Sequence, residues 1–297
     1  MTKNRLQRSL NDNMTTNKLL VSIIIPSKDE SREHFVLKLM EDISIQEINA
    51  DVEIHKIRGI SPPGKARNIG ANKSQGEILV FFDDDIRLGN KYVLANLIQP
   101  LLDNKNTGIT AGSIRIPEDA KMFEQRYARE IPTSYSPIVD KITDIWVATS
   151  ACCAIRKDIF LRIGQFNEQI LRGEDSEISN RMQKAGYRTV LIPQTFCYHH
   201  QPQNIQELIK MNFRNGRGSA FVDINYPQLN IDVNPKGVLY TSKKIGKFSR
   251  GSRFLSQLIS AVIKCKFLFL LVKLVYIYGY LYEIIKCKIF KKRSNYL

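Results

Sequence analysis

Gly76-Glu-Ile-Leu-Val-Phe-Phe-Asp-Asp-Asp85 decides how this chain folds. Glu77 to Phe82 is a β-rich apolar run that passes without a break into Asp83, Asp84 and Asp85. A run of this kind reads as a buried strand of an α/β sheet, and α/β sheets bind ligands at the carboxyl ends of such strands. Three adjacent carboxylates repel one another and call for compensation. A divalent cation supplies it best, and hard carboxylate oxygens suit Mg2+ or Mn2+. The plainer alternative is a solvated acidic turn.

Outward from this strand the chain alternates. Leu19 to Ile25 is a second apolar run, stopped by Pro26, and Val52 to Ile57 is a third. Helical patterns lie between them, near Phe35 to Ile45 and Ala66 to Ser74. Strand–helix alternation predicts a βαβ sheet with right-handed crossovers. Further on, Tyr92 to Leu102, Gly173 to Gly186 and Gln206 to Asn215 read as helices. Gly108 to Ile116, Ile145 to Ile155 and Thr189 to Ile192 read as strands, the last ending at Pro193. From about Ser219 to Ser252 the composition turns loop-like.

Three other places carry chemistry. Glu174 and Asp175 open a helix, where the helix dipole favours acids and also offers the bland explanation for them. Asp175, Ile178, Met182 and Ala185 share one helical face. His199-His200 follows a strand and holds half of the four histidines, either as a metal ligand or as part of a polar loop. Lys65 and Arg67, at a loop-to-helix junction, could meet phosphates or be an ordinary exposed helix start. The chain lacks a Gly-x-x-x-x-Gly-Lys-Ser/Thr loop and a Gly-x-Gly-x-x-Gly fingerprint, which argues against Walker-type ATPases and Rossmann dehydrogenases.

Composition narrows the partners. The 297 residues are 43% hydrophobic and 25% charged, within the globular range. The net charge is +15, but fourteen Lys and Arg against the single acid Glu283 lie from Lys236 onward. The body is nearly neutral, so no nucleic-acid surface is expected, and the basic tail implies an anionic partner of its own. Five cysteines with no Cys-x-x-Cys pair suggest a reducing compartment. Met1 to Lys18 is polar, without a signal-peptide core. Phe267 to Tyr282 is apolar but for Lys273. With Lys264 and Lys266 before it and Lys286 to Arg293 behind, it suits an anionic lipid surface or a re-entrant hairpin better than a clean span. Packing on protein is the alternative.

In this order, the pieces resemble glycosyltransferase family 2, with the GT-A fold. Val21-Ser-Ile-Ile-Ile-Pro26 resembles that family's opening strand, Gly64-Lys-Ala-Arg-Asn-Ile-Gly70 its Ala-Arg-Asn-x-Gly segment, and Gly76 to Asp85 its Asp-x-Asp strand. Ala154 to Phe160, Ile163 to Glu168, Gly173-Glu-Asp175 and Lys184 to Tyr187 resemble the acceptor-side half, and Tyr198-His-His200 the aromatic-His ending. The likeness covers roughly residues 19–220.

The resemblance implies a GT-A-type nucleotide-binding mixed sheet flanked by helices, followed by an apolar, basic helical segment. It implies an inverting, metal-dependent transferase of hexosyl type. The sugar moves from a nucleotide-sugar donor to a hydroxyl of a cell-surface glycan or lipid-linked acceptor. By the same resemblance Asp83, Asp85 and His199, or His200 in its place, would hold Mn2+ or Mg2+. Pro26, Ser27, Glu30, Lys65, Arg67, Asp83 and Asp84 would bind the donor, and Asp175 would be the base with Glu174 beside it. One departure is visible: where the family often has Asp-Asp-Gly-Ser after the second strand, this chain has Ile57-Arg-Gly-Ile-Ser61, so the base of the nucleotide is not named.

The expected organisation is a polar tail (1–18), a catalytic domain (19–220), a linker (221–252) and C-terminal membrane-associating or packing helices (253–297). The expected location is cytoplasmic, peripheral or anchored at the inner face of the cell membrane. A nucleotidyltransferase, or a non-catalytic membrane-associated protein keeping the fold, are the alternatives.

Overall fold

The computed structural model describes residues 18–131, 136–227 and 247–290. Most of the expected polar tail, positions 228–246 of the expected linker, and Lys291-Lys-Arg293 lie outside the described residues. The chain opens as β1 (Leu20–Ser27), α1 (Glu33–Ser44), β2 (Asp51–Arg58), α2 (Pro63–Lys73) and β3 (Ile78–Phe82). There follow β4 (Ile86–Leu88), α3 (Val93–Asp103), β5 (Thr107–Arg115), α4 (Met122–Glu130), β6 (Thr143–Asp144), β7 (Cys152–Arg156) and α5 (Lys157–Arg162). Then come α6 (Glu174–Lys184), β8 (Arg188–His199), α7 (Ile205–Asn225), α8 (Lys247–Ile263) and α9 (Phe267–Phe290).

One mixed sheet organises all of this, in the order β2-β1-β3-β7-β5-β8-β4, with β6 also on β8. β1 runs parallel to β2 and β3, β7 runs antiparallel to β3 and β5, and β8 runs parallel to β5. Both faces are covered, which is why β1 and β3 are apolar without alternation. Ile23, Val80 and Phe82 pack with Leu39 of α1 and Leu94 and Leu97 of α3. Ile24, Leu79 and Phe81 face the other way, onto Ala66 and Ala71 of α2, Phe160 of α5 and Met182 of α6.

The structure departs from the sequence expectation at three elements. β8 does not stop at Pro193; it continues to His199. Its pairing to β5 jumps from Ala111–Leu191 to Ser113–Phe196, and Gln194 takes a positive φ of 52°. Proline donates no ladder hydrogen bond, and a bulge is where a strand tolerates it. The expected strand from Ile145 to Ile155 is interrupted, because Cys152 N–H returns to Thr149 O and Ala151 N–H to Thr149 Oγ1. Only Cys152–Arg156 pairs as β7. Helix α7 runs on through the loop-like composition to Asn225, with Ala220 and Phe221 buried on it; tertiary packing overrides weak local preference here.

Gly70 is where α2 comes down on β1. A Cβ there would overlap Cγ2 of the buried Ile24. Gly70→Ala is therefore expected to lower stability by about 1–3 kcal/mol through overpacking. The denaturation midpoint should fall at unchanged slope.

Candidate functional site

The ends of β1, β3 and β8 and the start of α6 meet at one cleft: β3 and α6 bring carboxylates, β8 brings His199 and β1 brings the Ser27 hydroxyl. Asp83, Asp84 and Asp85 leave β3 in a tight turn before β4, with Asp83 N–H bonded to Ala151 O. The turn separates the three carboxylates. Asp84, 5% exposed, points back toward β1 and α1. It accepts from Ser27 Oγ at 2.7 Å, and from Arg32 Nε and Nη2 at 2.7 and 2.6 Å. Arg32 also reaches Asp85 Oδ2 at 2.6 Å. Asp84, expected to bind donor, thus has its oxygens occupied within the protein.

Asp83, Asp85 and His199 remain, and one ligand atom from each lies within 4.8 Å of the other two. His199 ends β8 opposite Ile86 of β4, and its Nε2 is 3.2 Å from Asp85 Oδ1. Two ligands about 2.1 Å from one hard cation and at right angles are about 3 Å apart, so this donor set fits a divalent cation. Without a cation the pair behaves as an ion pair. Burial opposes charge on His199, yet Asp85 overcomes it and lifts the imidazole pKa to about 9. Burial likewise opposes charge on Asp85, and His199 and Arg32 hold its carboxyl well below the usual range. Of the two adjacent histidines, His199 faces the acidic turn. His200 turns away to the fully buried Glu124 of α4, at 3.2 Å.

Arg67 is no exposed helix start. It is 3% exposed, and its guanidinium bridges Asp83 Oδ1 at 2.6 Å and Glu174 Oε1 at 3.2 Å. Its Nε is buried without a partner, and the group lies 5.5 Å over the Phe166 ring. Burial opposes its charge, but Asp83, Asp175 and Glu174 hold the proton firmly.

Beside Glu174, Asp175 sits in the first turn of α6, following Gly173 at a positive φ of 97°. Its Oδ1 is shut away from solvent with no hydrogen-bond partner. Burial, then the Glu174 charge, push its pKa up to about 7, against the opposing pull of Arg67 and a hydrogen bond from Ser150. A buried carboxyl half-ionised near neutral pH is suited to take and release a proton.

Of the other expected donor-binding residues, Ser27 is buried on Asp84, Pro26 is half-buried beside it, and Glu30 and Lys65 are exposed. After β2, where the Asp-Asp-Gly-Ser segment is absent, Arg58 pairs with Glu33 and Gly59 takes a positive φ of 70°. Arg32, Ser150 and Glu124 also belong to this site, with no sequence signal of their own. Arg32 ends a short 3-10 turn that starts at Glu30, and no spacing rule connects it to Asp84, 52 positions away. Arg172, just before Gly173, donates to Asn215 Oδ1 of α7 and lies close to Arg214.

Among solved structures, the chain is similar to the mannosyltransferase PcManGT from Pyrobaculum calidifontis, in complex with GDP-Man and Mn2+. The identity is 13% and the TM-score 0.58, over 94% of this chain and 92% of that one. Weaker likenesses are to S. aureus TarS (14% identity, TM-score 0.44, 70% of this chain and 40% of that one). Another is to GalNAc-T7 with UDP, GalNAc and Mn2+ (14%, 0.42, 72% and 51%). No curated protein matches the sequence. The sequence model of the family described as "Glycosyltransferase like family 2" matches residues 8–218, and the chain, with the acidic strand end, buried arginine and helix-start carboxylates of this cleft, belongs to that family.

Proposed function

We propose that this glycosyltransferase inverts the anomeric centre of a hexosyl nucleotide donor, with Asp175 as the base and Asp83, Asp85 and His199 holding Mn2+ or Mg2+. The observation that carries this is the buried, unpartnered Oδ1 of Asp175 across Arg67 and Glu174 from the acidic turn. The cation, when bound, would stabilise negative charge growing on the departing nucleoside diphosphate.

The chain's own groups do the rest. Arg67 fixes Asp83 and Glu174 relative to each other, so the turn and the helix start keep their spacing. Asp175 takes the proton of the acceptor hydroxyl. The hydroxyl oxygen bonds to the anomeric carbon as the bond to the diphosphate breaks and its electron pair leaves with the nucleotide. Attack opposite the leaving group inverts the centre. Pro26, Ser27, Glu30 and Lys65 border the nucleotide side of the cleft. Arg172, two residues before Glu174, and its neighbour Arg214 would suit an acceptor that carries phosphate. We take the acceptor to be a cell-surface glycan or lipid-linked chain, met at the inner face of the cell membrane. GDP-mannose, the nucleotide-sugar in the PcManGT complex, is the first donor to screen.

Asp85→Ala should remove the metal-dependent part of donor binding in calorimetry; unchanged binding would rule out its ligand role. Asp175→Asn should lower kcat by about 10²–10⁴-fold while leaving donor binding intact. That variant also has a signature in stability. The fold raises the Asp175 pKa from 3.8 to about 7, so native protein holds this proton more tightly than unfolded chain. Stability is therefore lost as pH rises from about 4 through about 7. In chelator, Asp175→Asn should be no more stable than wild type at pH 4. At pH 8 it should be more stable, by up to a few kcal/mol.

A further inference from the structure

Helix α9 is held to the catalytic domain along one face. A Cβ at Gly216 of α7 would overlap the Tyr276 carbonyl, and one at Gly279 of α9 would overlap the Phe213 carbonyl, so the two backbones touch. Around this notch Arg217 Nε reaches the fully buried Glu283 at 2.7 Å, and Tyr280 OH donates to Asp223 at 2.7 Å. Nearer its start, Leu268 and Val272 are buried with Tyr127 and Leu208.

The opposite face is mostly uncovered, with only the Tyr278 ring reaching back to Phe213 of α7 at 5.5 Å among the described residues. Leu274, Tyr278, Leu281, Ile285 and Ile289 follow at spacings of 4, 3, 4 and 4, and each is more than half exposed. Helix α8 carries Leu255, Ile259 and Val262, also at 4 and 3 and also exposed. The charge around these ridges is of one sign. Lys264, Lys266, Lys273, Lys286 and Lys288 lie on or between the two helices, and Glu283, the only acid beyond Lys236, is buried on Arg217. An apolar ridge with cations fits an anionic bilayer surface and repels a second copy of itself.

A crossing of the membrane is a poor fit. Although α9 is long and apolar enough to span, its inner face lies on α7, whose Lys210, Arg214, Arg217 and Asp223 would be carried to membrane depth with it.

Resting on the membrane-side acceptor reading, we propose that the α8–α9 hairpin lies flat on an anionic phospholipid surface. Leu274, Tyr278, Leu281, Ile285 and Ile289 enter the headgroup boundary. The notch of Gly216 and Gly279 then fixes the catalytic cleft at a set orientation to the lipid.

The test floats the full chain on vesicles of phosphatidylcholine with and without phosphatidylglycerol. Wild type should float with the anionic vesicles alone, less so at high salt, and a carbonate wash should release it. The double variant Leu281→Glu with Ile285→Glu, both exposed, should bind about tenfold more weakly or worse. Donor hydrolysis without vesicles should stay at the wild-type rate in that variant, which separates failure of this surface from failure of the catalytic assignment. Equal binding to both vesicle types, equal binding by the double variant, or retention through carbonate would overturn the proposal. So would a wild-type dimer that ignores vesicles and dissociates in the double variant.

Discussion

The Arg67 guanidinium, buried between Asp83 and Glu174, is the constraint on which the cleft depends. A buried cation is tolerated only when paired and hydrogen-bonded, and removing one partner from such a cluster is strongly destabilising. Arg67 is paired twice, once to the end of β3 and once to the start of α6. A planar guanidinium can hold two carboxylates in a set geometry, which a lysine ammonium cannot do as well. The strand end and the helix start, more than ninety residues apart in sequence, are thereby held at one separation. Arg32 does similar work on the other flank, tying Asp84 and Asp85 to the end of β1.

This explains how five carboxylates gather in one cleft. Asp84 is neutralised by Arg32, and Asp83 and Glu174 share Arg67. Asp85 has Arg32 and His199. Asp175 alone has neither a salt bridge nor full hydration, and the fold leaves its pKa high for that reason. Structure and reactivity are linked here: the carboxyl least well served by the fold is the one best suited to exchange a proton. The close approach of α2 to β1 at Gly70 supports the arrangement from below, because α2 carries Arg67.

The C-terminal helix obeys the same economy of contact. Two glycines let α7 and α9 touch backbone to backbone, and the single acid of the basic tail is spent on Arg217 inside that interface. What remains outside is apolar and cationic. Helix α7 begins six residues after His199, so the element that holds α9 follows directly on the strand that ends at the cleft.

Much of the fold was legible in the sequence, because burial on both faces leaves an unbroken apolar strand and because Asp83-Asp84-Asp85, Glu174-Asp175 and His199-His200 are dense local signals. Alternation of strand and helix was legible for the same reason. The strand through Pro193, the break at Thr149 and the full length of α7 were not, since bulges and packing override local preference. The sequence by itself determined which residue types arrive at the strand ends. Only the tertiary structure decided their partners: Asp84 to Arg32, Arg67 to Asp83 and Glu174, His199 rather than His200 to the acidic turn, and no partner for Asp175 Oδ1. The reason is physical. Side-chain type and periodicity are written locally, whereas ion pairs and burial at this cleft join residues 16 (Arg67 to Asp83) to 114 (Asp85 to His199) positions apart, and no local pattern encodes such distances.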